Sequence, residues 1–318
     1  MQLTIRRAIF PQNYPAIARV LTAENPDWPT TPEELAREDA LRDPKFHWAV
    51  FVAEDTSLPE NQLIAMASVG HDAWAHREGK FKMNIRVLPD MQGRGVGSRL
   101  YQVIFHHLEP LAPRELQTEV WAAHERAVRF VTDRGFVEIW RRIDLSLDVA
   151  DFNFTRFAGL EEHVKASGME IKTYAELEHD PDRLVKLYEL DRALWQDVPF
   201  GEVVTDRSLA LFEQEEILDP KFIPDACFIA IHGQAFIGYA NLTSQGVYYD
   251  AEMTGVLRPF RSKGVATLLK LSTIRYAQAH GNREIWTIND SVNEPMLALN
   301  ARLGFHYRGA MIRFVKQI

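Results

Sequence analysis

Two features of the second half of the chain place chemistry-bearing residues at meaningful spacings. The stretch Val256-Leu257-Arg258-Pro259-Phe260-Arg261-Ser262-Lys263-Gly264-Val265-Ala266 puts a glycine turn between an extended run and a helical one. Glycine permits positive φ and close backbone approach, and the first amides of the helix are unsatisfied donors at the positive end of its dipole. A pyrophosphate suits such a turn, although strand-to-helix turns also carry glycine for structural reasons alone. Just upstream, Asp250 and Glu252 alternate with Ala251 and Met253. On a strand that spacing puts two carboxylates on one face, where burial is costly unless they are hydrated, paired or used.

The elements that position these residues occur twice. The first half carries Val87-Leu88-Pro89-Asp90-Met91-Gln92-Gly93-Arg94-Gly95-Val96-Gly97, which matches the later stretch at an offset of 169 residues. Gly135-Phe136 and Gly304-Phe305 keep the same offset. A register held over more than forty residues indicates duplication. Before the first turn, Phe81, Met83, Ile85 and Val87 alternate with polar residues, the period of a strand, and after it Val96, Leu100, Ile104 and Leu108 recur at helical spacing. Carried over by the offset, Phe81 becomes Asp250, Met83 becomes Glu252, Ile85 becomes Thr254 and Val87 becomes Val256. The expectation is therefore one shared face, apolar in the first half and carboxylate-bearing in the second.

In the first half, strands are expected near 3–8, 48–53, 81–87 and 116–121, helices near 12–23, 32–41 and 96–108 with a further one running to Arg134 and capped by Gly135, and a closing strand from 136. In the second half, strands are expected near 170–174, 226–232, 235–243, 247–256 and 284–288. Helices are expected there at 181–193, 206–217, 264–280 and 293–303, with a last strand from Phe305. The domains are read as 1–150 and 151–318, joined by a linker over 151–168 that ends in a short helix.

Neither glycine turn ends in the Gly-Lys-Ser/Thr of a Walker A loop. Each follows about the fourth strand of its half, whereas a Rossmann turn follows the first. At these residues the chain resembles the GCN5-related N-acetyltransferase superfamily, whose Gln/Arg-x-x-Gly-x-Gly/Ala loop cradles the coenzyme A pyrophosphate. Gln92, Gly95 and Gly97 fit that pattern in the first half; Arg261, Gly264 and Ala266 fit it in the second. The resemblance implies two tandem α/β domains, each a mixed, mostly antiparallel sheet of six to seven strands with about four helices. It implies acetyl-CoA as co-substrate, held by Val256, Leu257, Arg261, Lys263, Gly264, Val265 and Ala266, with Asn289 and Asn293 on its pantetheine side. The first-half counterparts are Val87, Gln92, Arg94, Gly95, Val96 and Gly97, but Val120 and His124 replace the two asparagines, so this half is expected to be degenerate in catalysis.

By the same resemblance, Glu252 or Asp250 is the general base for an acceptor amine, the other helping to bind its charge. The plain alternative is that both only shape a polar pocket or pair with an arginine. The tyrosine that many family members place before the closing Gly-Phe is Asn300 or Val131 here, which leaves the acid role unassigned. The loop with Trp195, Asp197 and Phe200 falls where the fold usually covers its acceptor. Its aromatics and acids suit a cationic amine, or simply pack beneath a loop.

Composition narrows the partners. Acidic residues outnumber basic ones by 44 to 36, so the chain lacks a bulk pull on nucleic acid or anionic membrane. Cys227 is the lone cysteine and lies in an apolar run, the pattern of a buried structural thiol. The histidines, among them His47, His71, His76, His106 and His107, lack metal-ligand spacing, and no metal is expected. No signal peptide or bilayer-length apolar run stands out, which points to the cytoplasm. The expected protein is a monomer or homodimer that acetylates a small-molecule primary amine by direct attack. The alternative is a non-catalytic acyl-CoA sensor or scaffold.

Overall fold

A computed structural model describes residues 1–58, 62–199, 202–281 and 283–318. The chain divides into two compact units. Unit 1 holds Met1–Val120, His124–Ile139 and Arg313–Ile318; unit 2 holds Trp121–Ala123 and Trp140–Ile312.

Unit 1 runs β1 (Leu3–Arg7), α1 (Tyr14–Glu24), α2 (Pro32–Leu41), β2 (Trp48–Asp55), β3 (Gln62–Gly70), β4 (Lys80–Val87), α3 (Val96–Leu108), β5 (Glu115–Trp121) and α4 (Glu125–Thr132). β3 lies in a stretch where the sequence reading placed no strand. Strands β1 to β4 pair antiparallel in chain order, and β4 pairs β5 in parallel. Helix α2 starts in a capping box, with Thr31 and Glu34 satisfying each other's backbone amides. Ile17 and Val20 of α1 pack on Val50, Val52, Leu63 and Met66. Each such buried aliphatic side chain contributes about 1.5–3 kcal/mol. The C-terminal residues lie along β5, where Ile318 donates to the Arg114 carbonyl and Arg313 to Glu119.

The chain continues, mostly within unit 2, with β6 (Val137–Asp148), α5 (Leu160–Ala166), β7 (Met169–Thr173), α6 (Arg183–Trp195), α7 (Leu209–Phe212), β8 (Phe222–His232), β9 (Ala235–Ser244), β10 (Tyr249–Val256), α8 (Val265–Ala279), β11 (Glu284–Asp290), α9 (Glu294–Leu303) and β12 (His306–Gln317), whose last residues from Arg313 belong to unit 1. The helix expected over 206–217 is a single α turn followed by a π-helical turn at Glu213–Ile217. Strand β6 closes the first half in sequence, yet from Arg142 to Asp148 it pairs antiparallel with β11. Each unit is thus completed by a strand from the other half of the chain. Helix α8 packs on one face of this sheet through Leu268, Leu271 and Ile274; α6 packs on the other through Leu187, Leu190 and Leu194. Cys227 is buried among the α6-side residues, and burial pushes its thiol up. Among the described residues no helix is long and apolar enough to cross a membrane.

Candidate functional site

The site begins where two parallel strands part. β10 and β11 pair only at Tyr249↔Ile285 and Asp250↔Trp286. The Thr287 hydroxyl donates to the Ala251 carbonyl at 3.0 Å and closes the apex of the gap. Beyond it, the β10 edge facing β11 has no ladder partner among the described residues. Unit 1 parts in the same way, with β4 and β5 paired only from Lys80 to Lys82 on β4.

The carboxylates stand at this apex, but not on the face that the offset implied. β10 carries a bulge against β9 between Ala251 and Thr254, while β4 pairs β3 without a shift. The Asn241 side chain accepts the Met253 amide at 3.1 Å and so satisfies the donor that the bulge displaces. Ladder pairing therefore equates Phe81 with Tyr249: Phe81 pairs with Leu116, and Tyr249 pairs with Ile285. Upstream of the bulge the offset is 168, not 169. Asp250 and Glu252 match the polar positions Lys82 and Asn84, on the α6 side of the sheet. Tyr249 and Ala251 face α8 with Leu271 and Ile274, and past the bulge Val256 joins them on that side. The expectation that Asp250, Glu252, Thr254 and Val256 share a face is corrected: one inserted residue flips the parity.

Glu252 accepts from the Thr243 hydroxyl at 3.1 Å. Among the described residues neither it nor Asp250 forms an ion pair. The Glu252 side chain is exposed, so its carboxylate reaches solvent. Burial, then the charges of Glu252 and Asp144, raise Asp250 well above the usual carboxylate range. Glu252 is raised chiefly by burial, while the Thr243 bond and the charges of Lys221 and Arg142 pull it down. Two such carboxylates titrate as a pair, the first ionisation opposing the second.

A buried polar network lies near the carboxylates, and burial, then the charges of Asp191 and Glu252, raise its member Glu216. Tyr239 donates to Asp191 at 2.5 Å, and Arg207 bridges Asp191 at 2.7 Å and Glu216 at 2.9 Å. This ties α6, β9 and the π-helical turn together. Gly255 lets α6 approach, since a Cβ there would lie 2.8 Å from Leu194.

The glycine loop follows directly. Gly264 (φ 83°) is the N-cap of α8, with no side-chain cap on the first amides, and Ser262 also has positive φ (61°). Those amides are open to an anion. Arg261 donates through Nε to the Val256 carbonyl at 2.8 Å. Unit 1 repeats the geometry, with Gly93 at 77° and Gly95 at 81°, and Gln92 donating to the Val87 carbonyl at 3.2 Å. Val96 and Val265 are buried behind the loops, Arg94 is exposed, and Leu257 and Ala266 are half-buried. A Cβ at Gly97 would meet Phe130 at 3.5 Å, an ordinary contact, so packing does not require glycine there. The Lys263 ammonium stands 5.5 Å from the Phe260 ring.

Other expected residues are engaged within the protein. Asn289 accepts from the fully buried Asn300 at 2.6 Å, and Asn293 caps α9 by accepting from Met296. Trp195 ends α6, half-buried. Asp197 is held by Arg258 and Arg261, and Phe200 lies outside the described residues. Sequence reasoning passed over Arg258, Thr243 and Asn241. Arg258 was visible beside the loop, but the roles of Thr243 and Asn241 depend on a bulge that no residue spacing announces. In unit 1 the crevice differs: Glu24 bridges Arg86 at 3.3 Å and His124 at 3.2 Å, and Lys82 faces Glu119 at 3.7 Å.

The sequence profile of the acetyltransferase (GNAT) family matches residues 14–136 and again 184–305. No curated protein matches the chain. Among solved structures, a tandem GNAT protein from the clavulanic acid biosynthesis pathway, solved without AcCoA, is 17% identical with a TM-score of 0.74, over 99% of this chain and 98% of its own. A GCN5-related N-acetyltransferase from Sphaerobacter thermophilus is 18% identical with a TM-score of 0.67, over 99% and 95%. A fungal GCN5-related glucosamine N-acetyltransferase region is 11% identical with a TM-score of 0.70, over 98% of this chain and 38% of that one. At these identities the structures show a shared fold. With both halves matched by the family profile, the chain belongs to the acetyltransferase (GNAT) family, in tandem form, and takes an acyl-CoA as co-substrate.

Proposed function

We propose that the protein transfers an acetyl group from acetyl-CoA to a primary amine, and that the transfer takes place in unit 2. The observation that carries this reading is the alignment of three parts along β10: the carboxylate pair, the open strand edge and the uncapped glycine loop. The loop amides of Gly264 to Ala266 suit the pyrophosphate, and the open edge past Ala251 suits an extended pantetheine arm. The thioester then lies toward the apex, beside Asp250 and Glu252.

An amine arrives protonated at neutral pH and must lose that proton before its lone pair can attack. Glu252, solvent-accessible and raised above the ordinary carboxylate range, suits a base that takes the proton directly or through water. Asp250, kept protonated in the empty site by burial and the neighbouring carboxylates, loses its proton to water beside the bound ammonium and then holds its positive charge. The nitrogen attacks the thioester carbon, the C–N bond forms, the C–S bond breaks to release the thiolate, and the surplus proton on the nitrogen passes through water to the departing sulfur. No covalent acyl-enzyme is needed: Cys227 is buried, its thiol disfavoured as thiolate.

A thiol-release assay with acetyl-CoA against a panel of primary amines tests the reading. Turnover with at least one amine, rising with pH as the carboxylate pair gives up its proton, is expected. Tight coenzyme A binding without turnover on any amine would favour an acyl-CoA sensor instead.

A further inference from the structure

Asp197 sits just beyond α6 and takes both arginines beside the glycine loop. Its Oδ1 accepts from Arg258 Nε at 2.9 Å and Nη2 at 2.5 Å, and its Oδ2 accepts from Arg261 Nη2 at 2.6 Å. The Arg258 bond, with both guanidinium charges, holds the Asp197 carboxyl below its usual range, so it is ionised at neutral pH. The aspartate side chain is only 17% exposed, against 75% for Arg258 and 45% for Arg261. An incoming anion therefore reaches the guanidinium groups more readily than the carboxylate behind them.

Unit 1 separates two roles of Arg261. Its counterpart Gln92 makes the same bond to the strand-end carbonyl, so that bond belongs to the loop fold. Arg258 corresponds to Pro89, and neither Pro89 nor Gln92 carries a charge. The three-way ion contact is thus an addition specific to unit 2, and the loop forms without it.

We propose that Asp197 is a positioning residue that competes with the coenzyme's phosphates for Arg258 and Arg261, and so limits how tightly unit 2 retains its coenzyme. This rests on the reading that the Gly264 loop receives the pyrophosphate. In the empty site the carboxylate neutralises part of the arginine pair. When the diphosphate arrives, the arginines turn toward it and their bonds to Asp197 lengthen or break. The same carboxylate repels the bound phosphates and takes the arginines back as free coenzyme A leaves. Nothing covalent changes.

Calorimetric titration of coenzyme A into wild type and Asp197→Asn tests the proposal. The isosteric variant keeps a hydrogen-bond acceptor and loses the charge. Its dissociation constant is expected to fall about threefold, the scale of a partly exposed ion pair, with the gain shrinking at high salt. A merely structural aspartate would give the opposite sign, since disorder at the loop weakens binding. Asp197→Glu should restore the wild-type value, and Arg258→Gln should weaken binding. Unchanged or weaker binding by Asp197→Asn overturns the competition. Failure of the wild type to bind coenzyme A overturns the assignment of the loop itself, so the two results are distinguishable.

Discussion

The two crevices share a frame and differ in what fills it. Both open where a parallel pair of strands parts after two or three residues, and both lead to a loop with a left-handed glycine at the N-cap of the long helix. In unit 1 Glu24 is tied to Arg86 and His124, while Lys82 and Asn84 hold the positions beside the apex. In unit 2 those positions hold Asp250 and Glu252, without a counter-ion in contact among the described residues. The lesson is that the coenzyme loop alone does not make a reaction centre. It is a stable way to start a helix after a strand, and a duplicated chain can keep it in both copies while, on the reading proposed above, only unit 2 supplies a base.

The largest expected effect breaks that symmetry at the apex. Glu252→Gln should lower kcat by about 10²–10⁴, the range of a positioned general base, with acetyl-CoA affinity little changed. Lys82→Gln and Asn84→Asp in unit 1 should leave turnover within about threefold, the scale of a surface charge change. Stopped-flow thiol release on the three variants checks both arms. Equal losses from the two units would end the assignment of the chemistry to unit 2.

A smaller effect concerns stability. A raised carboxylate favours the protonated folded state, so its contribution is complete below the unfolded pKa, near 3.8, and is lost as pH rises through the folded value, about 8 for Asp250. Asp250→Asn, which never ionises, should match wild type near pH 4 and gain on it up to about pH 8. With solvent screening, the gain should reach about 1 kcal/mol. Thermal melts across that range test this, and a difference that does not grow with pH would contradict the raised carboxylate. Unit 1 offers the contrast: Glu24→Gln should cost about 0.5 kcal/mol near neutral pH, as expected for one partly exposed ion contact, that with Arg86.

Much of this was legible in the sequence. The duplication, the glycine loops and most of the element order follow from local pattern, because turn chemistry and side-chain period are written residue by residue, although β3 and the π-helical turn after α7 were missed. Asp250 and Glu252 were found for a reason that proved wrong in part. The offset compared them with Phe81 and Met83, but the bulge at Glu252 and Met253 inserts one residue, and they replace Lys82 and Asn84 instead. A one-residue slip changes the face without changing the composition, so only the ladder reveals it. Asp197 was expected at the acceptor because it is an acid in a loop. Its bonds to Arg258 and Arg261 join residues more than sixty positions apart, and spacing does not report contacts at that range. That β6 and the C-terminal residues each complete the unit of the other half of the chain was hidden for the same reason.

The central claim is that the unit 2 loop, not its unit 1 twin, holds the coenzyme for reaction, and Gly264→Leu against Gly95→Leu addresses it most directly. Both glycines have φ near 80°, so both leucines carry similar backbone strain, about 1–3 kcal/mol. A Cβ at Gly264 would also lie 2.5 Å from Leu160, whereas one at Gly95 meets nothing within 4 Å. Thermal melts on both variants confirm that the fold survives, and acetyl-CoA turnover with the accepted amine is then compared. We predict that Gly264→Leu loses at least about 100-fold in kcat/KM, close to 3 kcal/mol of transition-state stabilisation, while Gly95→Leu stays near wild type. Loss of turnover in Gly95→Leu with retention in Gly264→Leu would place the reaction in unit 1 and contradict the account.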